Sequence, residues 1–349
     1  MEDLFLICAN LLENGEDVVM VTIIDHEGST PRIAGSKMLV RRNGTIVGTI
    51  GGGIFEAGAT SIAREVFRDG QSITRIFSFS NNDLVGMDMI CGGRAEIFVD
   101  LLRSRFPENA TVCRKISELK RSHREAYLIT KIVTGPESKN LLKLALLTED
   151  KNFAGMPIPE EDRKALQCSR KGHHSLRVEP GKTSYLIETL HPPGTVYLFG
   201  AGHISQKVAR LTSLLNFHTV VLDDREEYAN SERFPGADRI IVPESMEICM
   251  EHLSISRNSY LVIVTRGHLY DTAVLAQALR TDACYIGMIG SRKKRDAIYE
   301  NLRRSGVAEE ALARVHSPIG INIEAETPEE LAVSIAGELV QVRARYING

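Results

Sequence analysis

The sequence lacks a long apolar run, a strong net charge and any closely spaced pair of cysteines. No uninterrupted apolar stretch approaches the ~20 residues that a membrane-spanning helix needs. The acidic start, Met1-Glu2-Asp3, predicts no signal peptide. A formal net charge of -3 indicates no general attraction to nucleic acid or to a membrane surface. We therefore expect a cytoplasmic protein whose partners include no nucleic acid and no membrane.

The six cysteines are scattered along the chain and form no C-x-x-C pair. They lie at positions 8, 91, 113, 168, 249 and 284. This spacing fits a reducing cytoplasm better than a disulfide framework. The adjacent residues His173 and His174 have no further ligand spaced with them, so we interpret them as turn residues rather than a metal pair.

The length of 349 residues predicts two domains of roughly 150 residues each. Hydrophobic residues make up 43% of the chain and charged residues 25%, as in an ordinary soluble globular protein. The breaker cluster His191-Pro192-Pro193-Gly194 predicts the boundary between the domains. This places an α+β domain at 1–190 and a separate α/β domain at 191–349.

The clearest structural pattern follows this boundary. Residues 196–199 form a short apolar run typical of a buried parallel strand, and Gly200 and Gly202 come directly after it. The next residues carry apolar side chains at helical spacing. A strand, a glycine turn and a helix in this order let the backbone approach a phosphate at a helix N-terminus. The pattern predicts a Rossmann-like parallel sheet.

Two acidic residues extend this prediction. Asp223 and Asp224 end a second apolar run, about twenty residues after the glycine turn, where an acid accepts hydrogen bonds from a ribose diol. The adjacent Arg225 is compatible with a 2′-phosphate, so the sequence leaves the preference between NAD and NADP open. One departure from the usual fingerprint is Ser205, which occupies the third glycine position.

Three further apolar runs, at 239–242, 260–265 and 285–289, complete the predicted sheet. Ligands of such sheets bind beyond the carboxyl ends of the strands. The turn after residue 289 opens a strongly basic helix and predicts a phosphate clamp, with a solvated basic turn as the alternative. The candidate ligand-binding residues of this half are Gly200, Gly202, His203, Asp223, Asp224, His268, Gly290, Ser291 and Arg292.

The N-terminal half contains a second glycine-rich candidate site. Gly51, Gly52 and Gly53 follow a predicted hairpin and precede a predicted helix at 54–67. Three such glycines let the backbone come close to a ligand, and the helix N-terminus offers unpaired N–H groups. Tight packing against another backbone is the alternative. Cys91 stands beside a glycine pair at a strand edge, where its thiol either faces a ligand or lies in the core.

Six stretches of the sequence resemble one family when they are taken together. They are Gly28-Ser29-Thr30-Pro31-Arg32, Gly48-Thr49-Ile50-Gly51-Gly52-Gly53-Ile54-Phe55-Glu56, Cys91-Gly92-Gly93, Gly200-Ala201-Gly202-His203, Gly290-Ser291-Arg292-Lys293-Lys294 and His316-Ser317-Pro318-Ile319-Gly320. In this order and spacing they resemble the xanthine dehydrogenase accessory factor family, XdhC/CoxI. The resemblance covers both ends of the chain and leaves mainly residues 105–185 unmatched.

The resemblance implies a cytoplasmic maturation factor rather than an enzyme. Such factors hold the molybdenum cofactor, protect it while a cysteine desulfurase supplies the terminal sulfur, and deliver it to a molybdenum hydroxylase apoenzyme. A homodimer is also expected. On this basis the triple glycine and Cys91 contact the metal-bearing head, with Cys91 as the metal ligand, while the Rossmann crevice holds the phosphate end. The form of the cofactor, molybdopterin or its dinucleotide, stays open.

The chain departs from the family pattern in three places. The family often has a cysteine directly after the triple glycine, where this chain has Ile54, so Cys91 would carry the thiol role alone. The segment after the fourth Rossmann strand is Thr265-Arg266-Gly267-His268 instead of the commoner Thr-His form. Asn322 and Glu324 stand where Asp and Gly are frequent. The departures leave the identity of the client open, between xanthine dehydrogenase and another molybdenum hydroxylase.

Two alternatives stay open at the level of the sequence. The glycine fingerprint also fits an NAD(P)-dependent oxidoreductase, for which His203 and His268 are the acid–base candidates in the crevice. The other alternative is a scaffold that bridges the desulfurase and the apoenzyme with an empty crevice.

Overall fold

The computed structural model describes residues 3–79, 93–121, 125–148, 150, 152–168, 175–180, 183–190 and 193–348. The chain divides into two compact units, Met1–Pro192 and Pro193–Gly349. The sequence-based boundary at residue 191 remains our proposal for the division into domains. None of the described helices is both long and apolar enough to span a membrane.

The first unit begins with a five-stranded antiparallel sheet and two helices. The helices are α1 (Leu4–Glu13) and α2 (Gly53–Asp69), and the strands are β1 (Val18–Glu27), β2 (Lys37–Arg41), β3 (Ile46–Gly48), β4 (Ile73–Ser78) and β5 (Arg94–Leu102). The strand order is β3-β2-β1-β5-β4. The hairpin predicted before the triple glycine joins β2 to β3, and Gly44 in its turn has a positive φ of +87°.

A second five-stranded antiparallel sheet follows, in the region that carries no predicted functional motif. Its strands are β6 (Ala126–Ile132), β7 (Leu144–Thr148), β8 (Phe153–Gly155), β9 (Ser175–Val178) and β10 (Ser184–Leu190), and the helices are α3 (Pro107–Arg121) and α4 (Glu160–Cys168). The strand order is β8-β7-β6-β10-β9.

A buried ion pair connects the two sheets of the first unit. Lys143, which directly precedes β7, places its Nζ 2.6 Å from Asp100 Oδ1 in β5, and both side chains are almost fully buried. Ser72 Oγ donates a second hydrogen bond of 2.6 Å to the same oxygen. A buried carboxylate is stable only when such partners are present.

The second unit is built on a six-stranded parallel sheet. Its strands are β11 (Thr195–Phe199), β12 (His218–Leu222), β13 (Arg239–Ile241), β14 (Ser259–Ile263), β15 (Tyr285–Met288) and β16 (Val315–His316), and the helices are α5 (His203–Leu214), α6 (His268–Ala278), α7 (Arg292–Arg304), α8 (Glu309–Leu312) and α9 (Pro328–Asn348). The strand order is β13-β12-β11-β14-β15-β16, so β12 and β13 lie on one side of β11 and β14 to β16 lie on the other. The predicted α/β Rossmann-like sheet and the separate α+β region are confirmed.

Both faces of this sheet are packed against helices. In β11, Val196 and Leu198 pack toward a core that includes Val208 of α5 and Ile335 of α9. Tyr197 and Phe199 point to the other face, where α6 and α7 supply Leu275, Ile298 and other apolar side chains. Successive side chains of a strand point to opposite faces, so a continuous apolar run fits a strand covered on both sides.

A buried carboxylate fastens the C-terminal helix to the sheet edge. Glu338 of α9 accepts hydrogen bonds from Tyr285 Oη at 2.5 Å and from the Gly320 amide at 2.7 Å, and its Oε1 lies 2.8 Å from His316 Nδ1. Burial by itself raises the pKa of Glu338, but the groups around it outweigh burial and hold the pKa below its ordinary value. Glu338 is therefore ionised at neutral pH.

We expect this cluster to make unfolding sensitive to acid. Because the folded-state pKa of Glu338 is lowered, its contribution is complete above the unfolded pKa of ~4.3 and is lost as the pH falls through the folded value. Glu338→Gln should lower the free energy of unfolding by about 1–3 kcal/mol at pH 7 and should flatten its decline below pH ~4.3. Thermal unfolding at pH 7, pH 4 and pH 3 measures both effects, with the exposed Glu310→Gln as control. An unchanged slope would contradict the assignment.

Candidate functional site

The turn between β11 and α5 brings bare backbone to the carboxyl edge of the sheet. Gly200 has φ +110°, and a Cβ added there would lie 2.8 Å from the carbonyl carbon of Val264 beyond β14. Glycine is therefore required at this position by the backbone conformation and by the neighbouring strand. Gly202 differs, because it caps α5 with extended backbone and a Cβ would meet no atom within 4 Å. Because the space beside Gly202 is open, a ligand can reach the first backbone N–H groups of α5.

The structure shows why Ser205 is compatible with the third glycine position of the fingerprint. Its side chain is 1% exposed, and its hydroxyl donates a hydrogen bond to the Gly200 carbonyl. A serine is small enough for this position and adds a bond that fixes the turn from within. The substitution therefore preserves the glycine turn.

Asp223 binds the glycine turn from the end of β12. Its Oδ2 accepts a hydrogen bond of 2.8 Å from the Ala201 amide, and its two oxygens accept from Arg225 Nε at 2.8 Å and Nη2 at 3.1 Å. Burial by itself raises the pKa of Asp223, but the hydrogen bonds from Arg225 and Ala201 outweigh it and hold the pKa below its ordinary value. A ribose diol at Asp223 would have to displace part of the Arg225 pairing, and the ribose role stays a prediction.

Paired arginines and tyrosines continue along the same edge. The sequence analysis considered Arg225 beside a 2′-phosphate but did not foresee its tyrosine partner. The Arg225 guanidinium lies 3.7 Å from the centroid of the Tyr228 ring. Asp224 Oδ2 pairs with Arg266 Nη2 at 3.0 Å, and Arg266 also stacks at 4.7 Å from the Tyr270 ring centroid. These four residues and Asp224 form what we name the arginine–tyrosine row. Guanidinium planes bind phosphate oxygens and stack on flat rings, so the row suits an anionic heterocyclic ligand.

The basic turn at the start of α7 is only partly available to a ligand. Ser291 caps the helix by accepting a hydrogen bond of 3.3 Å from the Lys294 amide, and Gly290 precedes it with φ +152°. The Lys294 ammonium pairs with the fully buried carboxylate of Asp271 in α6. Arg292 and Lys293 are exposed. The candidate cations of this turn are therefore Arg292 and Lys293, while Lys294 joins α6 to α7.

A cavity of about 660 Å³ lies between α6 and α7, next to this turn. Ser291, Lys293 and Lys294 line it, and much of the remaining wall is apolar, with Leu269 and Ile298 among the lining residues. The cavity thus offers an amphipathic surface that extends from this turn along α6 and α7 as far as Val307.

The predicted residues of the second unit converge at the carboxyl ends of four strands that are neighbours in the sheet. The strands β12, β11, β14 and β15 lead to Asp223 and Asp224, to Gly200, Gly202 and His203, to His268, and to Gly290, Ser291 and Arg292. His203 is exposed at the first position of α5. His268 begins α6, and its side chain lies outside the described part of the structure.

The predicted stretches of the first unit also meet. A Cβ on Gly51 would lie 2.5 Å from Pro31 Cβ, so the triple glycine touches the loop at 28–32. A Cβ on Gly93 would lie 2.7 Å from the Ser29 carbonyl carbon. Gly51 is therefore tightly packed, but against the Pro31 side chain and not against another backbone as the alternative supposed. Gly52 and Gly53 have φ +79° and +57°, and a Cβ on either would meet no atom within 4 Å.

The amides of this loop already bind an anion from within the chain. Glu56 Oε1 accepts hydrogen bonds from the amides of Gly52 at 2.8 Å and Gly51 at 3.3 Å, and from the Thr49 hydroxyl. Burial by itself raises the pKa of Glu56, but these hydrogen bonds hold it below its ordinary value. A cofactor anion at Gly51 and Gly52 would compete with Glu56, a constraint that the sequence analysis did not foresee.

Cys91 lies outside the described residues, so its predicted role as a metal ligand stays a proposal. Within the described parts of the chain, no three His, Cys, Asp or Glu side chains come together as a metal-binding group.

Two protein-family models match this chain. Residues 196–339 match the XdhC Rossmann domain, and residues 11–79 match the XdhC and CoxI family. The two matches together span more than half of the chain. This chain belongs to the XdhC and CoxI family.

Several curated proteins resemble this XdhC/CoxI family member along most of its length. The uncharacterized protein YqeB of Escherichia coli (strain K12) is 26% identical over 99% of this chain, which spans only 47% of YqeB. A protein of Bacillus subtilis (strain 168) named as a probable xanthine dehydrogenase subunit is 27% identical, and the match covers 96% of both chains. The molybdenum cofactor insertion chaperone PaoD of Escherichia coli (strain K12) is 21% identical over 95% of this chain and 85% of PaoD.

A solved structure shows the same fold as this XdhC/CoxI family member. It is a crystal structure of a xanthine dehydrogenase from Bacillus halodurans, with a TM-score of 0.79 at 23% identity. The match covers 98% of this chain and 96% of the other.

Proposed function

We propose that this protein binds the molybdenum cofactor, protects it while a cysteine desulfurase supplies its terminal sulfur, and delivers it to a molybdenum hydroxylase apoenzyme. The observation that carries the proposal is the carboxyl edge of the Rossmann sheet, where an open glycine turn lies beside the arginine–tyrosine row. The relative PaoD, named a molybdenum cofactor insertion chaperone, supports the choice of ligand. The Bacillus subtilis relative, named for xanthine dehydrogenase, supports the choice of client.

The second unit fits the phosphate end of the cofactor. Helix α5 has no side-chain cap at Gly202 within the described structure, so its first N–H groups are available to an acceptor. Arg225 and Arg266 keep 24% and 39% of their side chains exposed, so each presents N–H donors toward solvent. These donors and charges match a phosphate or a pyrophosphate. We assign them, with Gly290, Ser291 and Arg292, to that end of the ligand.

We assign the metal-bearing head to the first unit on the family resemblance. A thiolate is a soft ligand suited to a sulfur-containing molybdenum centre, and Cys91 is the candidate. Gly53 and the open first turn of α2 offer backbone N–H groups, whereas Gly51 and Gly52 donate to Glu56. The hydroxylation that the bound cofactor supports belongs to the client enzyme. This chain would bind and shield the cofactor, and we expect it to act as a homodimer in the cytoplasm.

The proposal is tested by equilibrium dialysis of the purified protein against released cofactor, followed through pterin fluorescence. We expect stoichiometric retention, weakened about tenfold or more by Arg266→Ala because a charge-assisted contact to phosphate is lost. Arg304→Ala is the matched control, since Arg304 is exposed on the far end of α7. Cys91→Ala should also weaken retention.

Three results would count against parts of this proposal. Undiminished retention by Cys91→Ala would remove Cys91 from the site. Equal retention by Arg266→Ala and the parent would remove the arginine–tyrosine row. Displacement of the cofactor by NADH or NADPH at low concentration would favour the oxidoreductase hypothesis instead.

A further inference from the structure

A small pocket in the first unit combines charged and apolar walls. Its volume is about 270 Å³. The walls come from α1, the chain before β2, the end of α3 and the end of β10, with Phe5, Ile33, Lys37, Lys120, Glu188 and Leu190 among the lining residues. None of these residues belongs to the glycine motifs or to the arginine–tyrosine row. The pocket therefore needs an explanation of its own.

The two lysines of the pocket differ in their partners. The Lys37 ammonium pairs with Glu188, and both side chains are more than nine-tenths buried. The Lys120 ammonium lies 4.7 Å from the centroid of the Phe5 ring and makes no ion pair within the described residues. Burial lowers the pKa of Lys120, as does Lys37, while Asp3 and Glu188 act in the opposite direction. Lys120 is thus a partly desolvated cation that an anionic ligand would stabilise.

The carboxylate of the pocket also has an unmet hydrogen bond. Glu188 is 5% exposed, and its Oε2 has no hydrogen-bond donor among the described residues. A buried acceptor without a donor is unfavourable, and such groups are rare in folded proteins. Among the described residues, the pocket therefore holds a cation without an ion-pair partner, Lys120, and a carboxylate oxygen without a hydrogen-bond donor, Glu188 Oε2.

We propose that this pocket binds a small zwitterion of the α-amino acid class with an apolar side chain. Its carboxylate pairs with Lys120, and its ammonium group donates to the Glu188 carboxylate. Its side chain packs against Phe5, Ile33 and Leu190. Ile33 is 54% exposed without a ligand, so binding also removes apolar surface from water. A volume near the lower limit of ligand pockets favours a ligand of amino acid size.

Three probes with the same branched skeleton separate the two charges. They are L-leucine, 4-methylpentanoate, which lacks the ammonium group, and 3-methylbutylamine, which lacks the carboxylate. Calorimetric titration of the full-length protein should show that L-leucine binds about tenfold or more tightly than either analogue, because each analogue leaves one buried group unpaired. Equal affinity for L-leucine and 4-methylpentanoate would overturn the assignment to zwitterions.

Variants of the two charged groups complete the test. Lys120→Met should weaken L-leucine about tenfold or more, and Glu188→Gln should do the same. Lys115→Met is the matched control, because Lys115 is exposed on the same helix. Circular dichroism identifies variants that fail to fold. If Glu188→Gln unfolds because Lys37 loses its partner, Lys120→Met decides alone. Unchanged L-leucine affinity in folded Lys120→Met, or no binding to the parent at millimolar concentration, would refute the proposal.

Discussion

Gly202→Ala is expected to leave the second unit folded and to weaken cofactor binding about tenfold or more. The backbone of Gly202 has φ -75°, which alanine adopts freely, and a Cβ would meet no atom within 4 Å. The added methyl would instead occupy the space through which a phosphate reaches the first amides of α5. Dialysis against released cofactor measures the loss, and thermal unfolding should give a midpoint within about 2 °C of the parent.

Gly200→Ala is the matched comparison, and it should act on the fold. With φ +110° and a Cβ only 2.8 Å from the carbonyl carbon of Val264, the new methyl forces the turn away from β14. We expect a loss of about 2 kcal/mol or more in the free energy of unfolding. Comparing the two substitutions therefore separates an effect on the stability of the fold from an effect on ligand binding. Parent-like cofactor affinity in Gly202→Ala would show that the ligand does not approach this turn.

Lys143→Met is expected to lower the free energy of unfolding of the first unit by about 3–5 kcal/mol. The substitution keeps most of the apolar stem but leaves Asp100 as a buried carboxylate without its cation. Ser72 would remain as a donor to Asp100 Oδ1, while Oδ2 already lacks a hydrogen-bond partner in the described structure. Urea unfolding followed by circular dichroism measures the loss.

Two further variants test the cause of this loss. Lys139→Met removes an exposed lysine nearby in the sequence and should change stability by less than ~0.5 kcal/mol. The double variant Asp100→Asn with Lys143→Met removes the unpaired charge and should recover part of the loss. A Lys143→Met loss below about 1 kcal/mol would show that the pair does not hold the two sheets together.

The Rossmann sheet was predictable because its signals are local. About thirty residues contain the main signals. These are apolar runs of strand length, the glycine turn at Gly200 and Gly202, and the acids after β12. Parallel topology then requires the turns after β11, β14 and β15 to lie at one edge. The convergence of the candidate residues of the second unit follows from these rules.

The partners of the site residues were not predictable in the same way. The sequence analysis assigned no partner to Glu56, but the structure shows its carboxylate bound to the amides of Gly51 and Gly52. Lys294 lies in the basic turn for which a phosphate clamp was predicted, but it pairs with Asp271, which is 23 positions earlier in the sequence. Choices among several nearby donors depend on side-chain packing in three dimensions, which a hydrophobic pattern does not encode.

The second sheet of the first unit shows a different limit. The sequence analysis left residues 105–185 outside the family resemblance and placed no candidate site residue there. Strand pairing there connects residues far apart, as between Ser184 and Ile132, and such register depends on the whole buried face. The pocket at Lys120 and Glu188 depends on this pairing, since β10 brings Glu188 to the end of α3.

The most direct test of the proposed function is mass spectrometry of the small molecules released from the protein after native purification. The account predicts a phosphorylated pterin, as molybdopterin or its dinucleotide, at close to one molecule per chain, with much less of it in Gly202→Ala. Recovery of a nicotinamide dinucleotide in its place, or equal pterin from parent and Gly202→Ala, would contradict the account.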